Sequence, residues 1–289
     1  EIANIELQNL EKAEKILEEK EKESSYRKSM SSFWMYIVSA VSIAYVVYHI
    51  YTSGFGMPMA YKHRVIHLAF VLILVFLLFP AHKKAIKTRP SVADIVLAVF
   101  SIGAAVHMFF AIDRIAINVG IAAPMDYIVG FTGTLLVLEA CRRVVGNQLL
   151  GLTVLLLLYA YFGNHIPGVL SHQGYSIKRL IYQMYLTTQG IFGLTLGVSA
   201  QYMVLFVFFA SILAQTGMGK LFNDLALGLA GRSTGGPAKV AVVASGFMGM
   251  ISGSGASNVA TTGALTIPLM KKVGYKPHYA GAVESAAST

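Results

Sequence analysis

The chain has a single cysteine, Cys141, and a single tryptophan, Trp34, among 289 residues. A lone cysteine inside an apolar run excludes an intramolecular disulfide and any C-x-x-C metal or redox motif, and its ordinary use is packing. Acidic residues are scarce once the start is set aside. Eight of the 14 Asp and Glu fall within the first 24 residues, leaving six against 19 Lys and Arg. These cations flank apolar runs instead of forming a patch interleaved with aromatics, so they read as topology signals and not as a nucleic-acid surface. No H-E-x-x-H or G-x-S-x-G occurs, and the hairpin serines described below have no nearby histidine base, which argues against an enzyme. The absence of G-x-x-x-x-G-K-[ST] means that any ATPase would be a separate chain. Charged residues are 13% of the total. Hydrophobic residues are 55% and mean hydropathy is +0.62, which makes a bilayer the expected solvent.

What the sequence does have is long apolar runs. A hydrocarbon core about 30 Å thick needs about 20 apolar residues in a helix. Six spans are expected, at approximately Phe33–Thr52, Arg64–Pro80, Val92–Ala111, Asp126–Cys141, Leu149–Phe162 and Ile191–Ala214. Residues 1–32 read as a charged cytoplasmic tail. Glu11 with Lys15 and Glu18 with Lys22 support a solvated helix there, and neither a signal peptide nor an apolar core is present. Placing the amino terminus in the cytoplasm puts 14 Lys and Arg inside, Arg27, Arg142 and Arg143 among them. It leaves five outside: Lys62, Arg64, Arg114, Lys178 and Arg179. Ser176–Thr188 and Met218–Arg232 each carry one apolar and one polar face, the pattern of helices lying in the membrane interface, either as collars or as braces for a moving unit.

The most informative segment follows Arg232. Residues 238–270 are apolar at both ends, with Ser252, Gly253, Ser254, Gly255, Ala256, Ser257 and Asn258 between the arms and Thr261, Thr262 and Gly263 close behind. Lys239 on one flank and Lys271 and Lys272 on the other want the same side of the membrane, which describes a re-entrant hairpin. Non-helical backbone at membrane depth is tolerated only against protein or a watery cavity. Broken helices in transporters place carbonyl and side-chain oxygens around Na⁺ and half-helix amino termini against anions. Packing of small residues, as in the G-x-x-x-G of Gly249 and Gly253, accounts for the glycines but not for the density of hydroxyls beside Asn258.

The run from Gly246 to Pro277, GFMGMISGSGASNVATTGALTIPLMKKVGYKP, followed by AGAVESAAST at 280–289, closely resembles the large membrane subunit of tripartite ATP-independent periplasmic (TRAP) transporters. It resembles in particular the fused permeases that serve TAXI-type binding proteins. The stretch LTTQGIFGLTLGVSA at 186–200 carries the same resemblance, which is specific over about Gly146–Thr289. The resemblance implies an all-α integral membrane protein with about six transmembrane helices, interfacial amphipathic helices and a re-entrant hairpin. It further implies a four-helix small-subunit-like domain over 33–145 and the start of the large transport subunit over 146–289. The activity implied is Na⁺-driven import of a carboxylate-type organic anion by an elevator-like movement, in the inner membrane of a bacterium or archaeon. A periplasmic solute-binding protein and the rest of the large subunit are the implied partners, with Na⁺ as coupling ion and no cofactor. Carried over by position, Ser252, Ser254 and Asn258 are the ion candidates. Gly253, Gly255, Ser257, Thr261 and Thr262 border the pocket, and Ser285, Ser288 and Thr289 approach it from the helix after Pro277. The sequence stops inside a motif that the family continues with a second, inverted hairpin, so it reads as an amino-terminal fragment. An ATP-driven importer's permease, a proton-coupled transporter and a passive channel are the competing readings.

The remaining polar residues have plainer readings. Glu139 is spaced to pair with Arg142 and Arg143. Asp94, Asp113 and Asp126 fall near membrane boundaries, where carboxylates are cheap. His63 and His67 lack an acidic or cysteine ligand within a turn, and His107 is expected to hydrogen-bond to a neighbouring helix. Glu284, inside a run of small residues, is either a functional intramembrane carboxylate or the cap or partner of a nearby cation.

Overall fold

A computed structural model of the chain describes residues 26–27, 29–82, 85–86, 88–118, 121–250 and 255–288. The expected helical tail over 1–25 lies outside the described residues. Among the described residues the regular secondary structure is all helical, with no strand. Contacts divide the chain into two units, Glu1–Gln201 and Tyr202–Thr289.

The first unit contains α1 (Ser32–Phe55), α2 (Ala60–Leu78), α3 (Val92–Ile117), α4 (Pro124–Val144), α5 (Asn147–Phe162), α6 (Ile177–Tyr185) and α7 (Leu194–Val198). Of the six expected spans, α1, α2, α3 and the run Leu194–Leu213 are helices long and apolar enough to cross a membrane. The other two expected spans form helices as well, α4 and α5, but α4 carries four charged side chains and α5 is only 16 residues. The buried side of α2 is a stripe of Tyr61, Val65, Leu68, Leu72 and Phe76, meeting Ala104, Met108, Ala111 and Ile115 of α3. Phe100, Phe110 and Ile117 on α3 are exposed, as side chains facing lipid would be.

Charged groups of the first unit gather at its two ends. At one end Asp94 is 0% exposed, pairing with Arg27 and Arg143 at 2.6 Å each while its Oδ2 accepts the Ser91 N–H in a capping box. Arg27 also donates to the carbonyl of Leu77, and Glu139 accepts from Arg142 and Arg143 as its spacing predicts. At the other end Asp126 accepts from Arg114 and from His107 Nε2, the latter at 2.9 Å, and Lys62 pairs with Asp113 at 2.7 Å. The structural role expected of Asp94 and Asp126 holds, but both are fully buried among partners and not placed at a cheap, wet boundary.

The amphipathic segment expected at Ser176–Thr188 forms α6, with Ser176 Oγ accepting the Arg179 N–H at its start. It lies directly on α4. Gly130 and Gly133 open the space: a Cβ on Gly133 would overlap the Tyr185 ring, and one on Gly130 would lie 2.8 Å from Ile181 Cγ2. Between α7 and the next helix the chain makes one wide π-helical turn, Ser199–Met203. Nearby, His63 Nε2 donates to the Ala200 carbonyl at 3.2 Å, His67 Nε2 meets Ser199 Oγ at 3.2 Å, and the Nδ1 atoms of His63 and His67 face the hydroxyls of Tyr48 and Tyr45.

The second unit contains α8 (Val204–Gln215), α9 (Met218–Ala230), α10 (Gly236–Gly249), α11 (Gly255–Lys272) and α12 (Pro277–Ala287). Gly235, at a φ of 72°, turns the chain into α10 and Pro237 occupies its first turn, as the glycine-proline signal predicts. The arms α10 and α11 run antiparallel. Ala226 and Ala230 of α9 pack on Val240 and Ala244 of α10, so α9 braces one arm and is not a detached collar. Ala241, Met270 and Ala280 join α10, α11 and α12 in a second small cluster. At 14 residues α10 is about 21 Å long, short of the hydrocarbon core. The helix α11 continues through Pro268 to Lys272, leaving the Ala264 carbonyl without its usual donor.

Two substitutions test this packing. Gly133→Ala should cost about 1–3 kcal/mol, because its Cβ would overlap the ring of Tyr185, which is itself buried. Asp94→Ala should cost about 3–5 kcal/mol by stranding two buried guanidinium groups. Thermal unfolding in detergent reads both, and wild-type midpoints would contradict the packing described.

Candidate functional site

The expected tip residues Ser252, Gly253 and Ser254, and Thr289, lie outside the described residues, as does the side chain of Ser257. The described part of the hairpin nevertheless carries a polar site, at the meeting of α10, α11 and α12. Asn258, Thr262 and Thr266 recur every four residues and so share one face of α11, while Glu284 and Ser288 share one face of α12. Ser245 supplies the contribution of α10.

Glu284 is the centre of this arrangement and is 0% exposed. Thr262 Oγ1 donates a hydrogen bond to its Oε1 and Thr266 Oγ1 one to its Oε2. Ser245 Oγ reaches Oε1 at 3.3 Å and lies 3.2 Å from Thr262 Oγ1 and 3.1 Å from Ser288 Oγ. Each hydroxyl has one proton to give. Thr262 Oγ1 also lies 2.8 Å from the Asn258 carbonyl and Thr266 Oγ1 lies 3.0 Å from that of Thr262, so the carboxylate competes with helix backbone for the same protons. Among the described residues no Lys, Arg or His forms an ion pair with Glu284. Asn258 is 3% exposed, and its Nδ2 donates to the Ser245 carbonyl at 3.0 Å. Its Oδ1 has no hydrogen-bond partner among the described residues.

A buried acceptor left unpaired costs about 1–3 kcal/mol, and a buried charge without a counter-charge costs several more. The site is therefore acceptor-rich and short of positive charge. Carboxylate, hydroxyl and amide oxygens are the donor set that a hard monovalent cation takes, so the residues present fit Na⁺.

Of the residues expected from the sequence, Asn258, Thr262 and Ser288 come together here. Gly255 packs beside them, where an added Cβ would lie 3.1 Å from the Ser288 carbonyl oxygen. Thr261 and Ser285 are exposed on other faces of their helices, and a Cβ on Gly219 of α9 would lie 3.7 Å from Thr261 Cγ2. Ser245 and Thr266 were absent from the expected set although the four-residue period from Asn258 points to Thr266. Gly263 has a packing role: a Cβ there would lie 3.2 Å from Glu284 Cγ.

Four helices long and apolar enough to cross a membrane, in a chain with no strand among the described residues, define the class of multi-pass, all-α membrane proteins. The family model of the tripartite ATP-independent periplasmic transporter, DctM component, matches residues 132–289, more than half of the chain, and the chain belongs to that family. The match begins within α4, ahead of Gly146. No curated protein and no solved structure matches the chain. Membership makes the protein a membrane component of a TRAP-type secondary transporter.

Thr266→Val keeps the shape of its side chain and removes one hydroxyl from Glu284. It should lower stability by about 1–3 kcal/mol. Thr195→Val, at an exposed position of α7, should change it by less than about 0.5 kcal/mol. Equal effects of the two in detergent melts would contradict the site's geometry.

Proposed function

We propose that this chain carries transport machinery of a permease that imports a carboxylate-type organic anion on a Na⁺ gradient, the anion being delivered by a periplasmic solute-binding protein. The observation that carries this reading is the buried oxygen cluster of the hairpin, in which Asn258 Oδ1 has no partner among the described residues. Asn258 Oδ1 and the neighbouring hydroxyls would hold the cation together with Ser252 and Ser254. The amino terminus of α11 would offer its N–H groups to the anion, while Lys271 and Lys272 suit the opposite dipole end. Gly253, Gly255, Ser257 and Thr289 would line or shape the anion's side of the pocket, Thr262 and Ser288 belong with the cation's oxygens, and Thr261 and Ser285, exposed on other helix faces, would not reach the cluster.

Residues 33–145 act as a small-subunit-like domain and 146–289 as the start of the transport subunit, with the hairpin re-entrant from the cytoplasmic side of an inner membrane. The ends of the first unit support this orientation. Arg27, Arg142 and Arg143, assigned to the cytoplasm, converge on Asp94 and Glu139, while Lys62 and Arg114, assigned outside, bind Asp113 and Asp126 at the opposite helix ends. The packing of α9 on α10 suits a hairpin that moves as a braced body, as an elevator-like mechanism requires. An ATP-driven importer finds no support in a family described as ATP-independent.

Uptake into proteoliposomes holding the full-length protein should need both an inward Na⁺ gradient and the binding protein. Ser254→Ala or Asn258→Ala should raise the Na⁺ concentration for half-maximal uptake by about tenfold or more. Uptake indifferent to Na⁺, or dependent on ATP, would overturn the reading.

A further inference from the structure

Between α2 and α3 of the first unit runs a groove of about 230 Å³, lined wholly by apolar side chains. Ala69 and Ala105 are the small residues of its lining, set among the rings of Phe70, Phe109 and Phe110. Both helices are long and apolar enough to cross a membrane, so the groove lies at the depth of the hydrocarbon. Along α2 it extends from Val65 to Ile73, about 12 Å. A helix about 10 Å across would fill on the order of 1,000 Å³ over that length, so the groove is too small to seat one and suits a single alkyl chain. One end of it is charged. Lys62 Nζ lies 5.0 Å from the ring centroid of Phe109, and Asp113 follows Phe109 by one helical turn. Lys62 and Asp113 pair at 2.7 Å at the surface, where an ion pair adds little to the fold, in contrast to the fully buried Asp94 and Asp126. Their bond engages one of the three ammonium N–H groups and one of the two carboxylate oxygens.

We propose that this groove is a binding site for one phosphatidylethanolamine-type phospholipid, an acyl chain lying between α2 and α3, the phosphate against Lys62 and the primary ammonium against Asp113. Such a site needs only that α2 and α3 span a bilayer, whatever ion drives transport. Lys62 stands in the first turn of α2 and Asp113 near the end of α3, where the headgroup layer meets the helices. Lys62 keeps N–H donors for a phosphate oxygen and Asp113 keeps an oxygen for an ammonium, and both contacts are charge-assisted. The groove itself selects weakly. Lipid tails are as apolar as its lining, so an acyl chain gains packing contacts there and no hydrophobic transfer energy. Selection falls to the headgroup. A phosphatidylcholine headgroup carries the same two charges, but its quaternary ammonium has no N–H to donate. A phosphatidylglycerol headgroup has no cation to meet Asp113 and brings an unmatched negative charge beside it. The two side chains together therefore set a rank order with phosphatidylethanolamine first.

The test is lipid retention by the full-length protein in detergent, read by native mass spectrometry after exchange with phosphatidylethanolamine, phosphatidylcholine or phosphatidylglycerol of the same acyl chains. Wild type should hold phosphatidylethanolamine about tenfold more tightly than either of the others, the order that one hydrogen bond between charged groups supplies. Asp113→Asn, at an exposed position, should bring phosphatidylethanolamine down to the level of phosphatidylcholine. Ala105→Phe fills the groove from α3 and should abolish the preference. Ala69→Leu fills it from α2 and should do the same, which keeps the test open if Ala105→Phe is not produced in folded form. Equal retention of the three lipids by the wild type overturns the proposal, as does a phosphatidylethanolamine preference that survives Asp113→Asn or the groove-filling substitutions. A dimer that the groove-filling substitutions separate also overturns it, because a second copy of the chain then covers the groove. None of these results bears on the sodium-driven reading, which stands or falls on uptake.

Discussion

The carboxylate of Glu284 imposes the strongest demand in the second unit, because it is fully buried and no basic side chain among the described residues pairs with it. Everything around it can be understood as a response. Four hydroxyls, from α10, α11 and the end of α12, turn toward it, three of them at the same oxygen, and the residue opposite its Cγ is glycine. Hydroxyls soften a buried charge without cancelling it, since each is a dipole with one proton, and those of Thr262 and Thr266 are also sought by helix carbonyls. A site left in that condition would be relieved by a positive charge from outside, as the proposed cation-driven reading requires.

The first unit shows the contrasting solution. Its fully buried carboxylates, Asp94 and Asp126, are each met by arginine, and Asp94 by two of them. Those pairs tie helix ends together: Arg27 reaches the carbonyl-rich end of α2 while pairing with the first turn of α3, and Arg143 brings in the last turn of α4. Charges satisfied inside the protein hold elements in place and leave nothing over for a ligand. The same side-chain type serves as a fastener in one unit and as an open valence in the other, and the difference lies in whether a guanidinium is within reach.

Much of this was legible in the sequence because the signals were local. Apolar run lengths gave the helices, the Gly-Gly-Pro at 235–237 gave the start of the first hairpin arm, and the spacing of Glu139 from two arginines gave their ion pair. The pocket was half legible. Asn258 and Thr262 stood out through the density of polar residues at the hairpin, but Thr261 and Ser285, close to them in the chain, face elsewhere once the helical period is imposed. Ser245 lies 39 residues from Glu284, and only folding the hairpin back against α12 joins them. Glu284 was visible as an ionisable group in a run of small residues, yet the choice between a structural cap and an open carboxylate required knowing what surrounds it. The burial of Asp94 was similarly hidden, because its second arginine comes from α4, 49 residues away.

The most direct test of a cation pocket at Glu284 is the thermal unfolding midpoint of the detergent-solubilised full-length protein, measured as NaCl replaces choline chloride at constant ionic strength. A ligand that binds only the folded state raises the midpoint in a saturable way. A saturable rise with Na⁺ in the wild type, absent in Glu284→Gln, is the predicted result. A midpoint that is the same in Na⁺ and in choline would contradict the account at its centre.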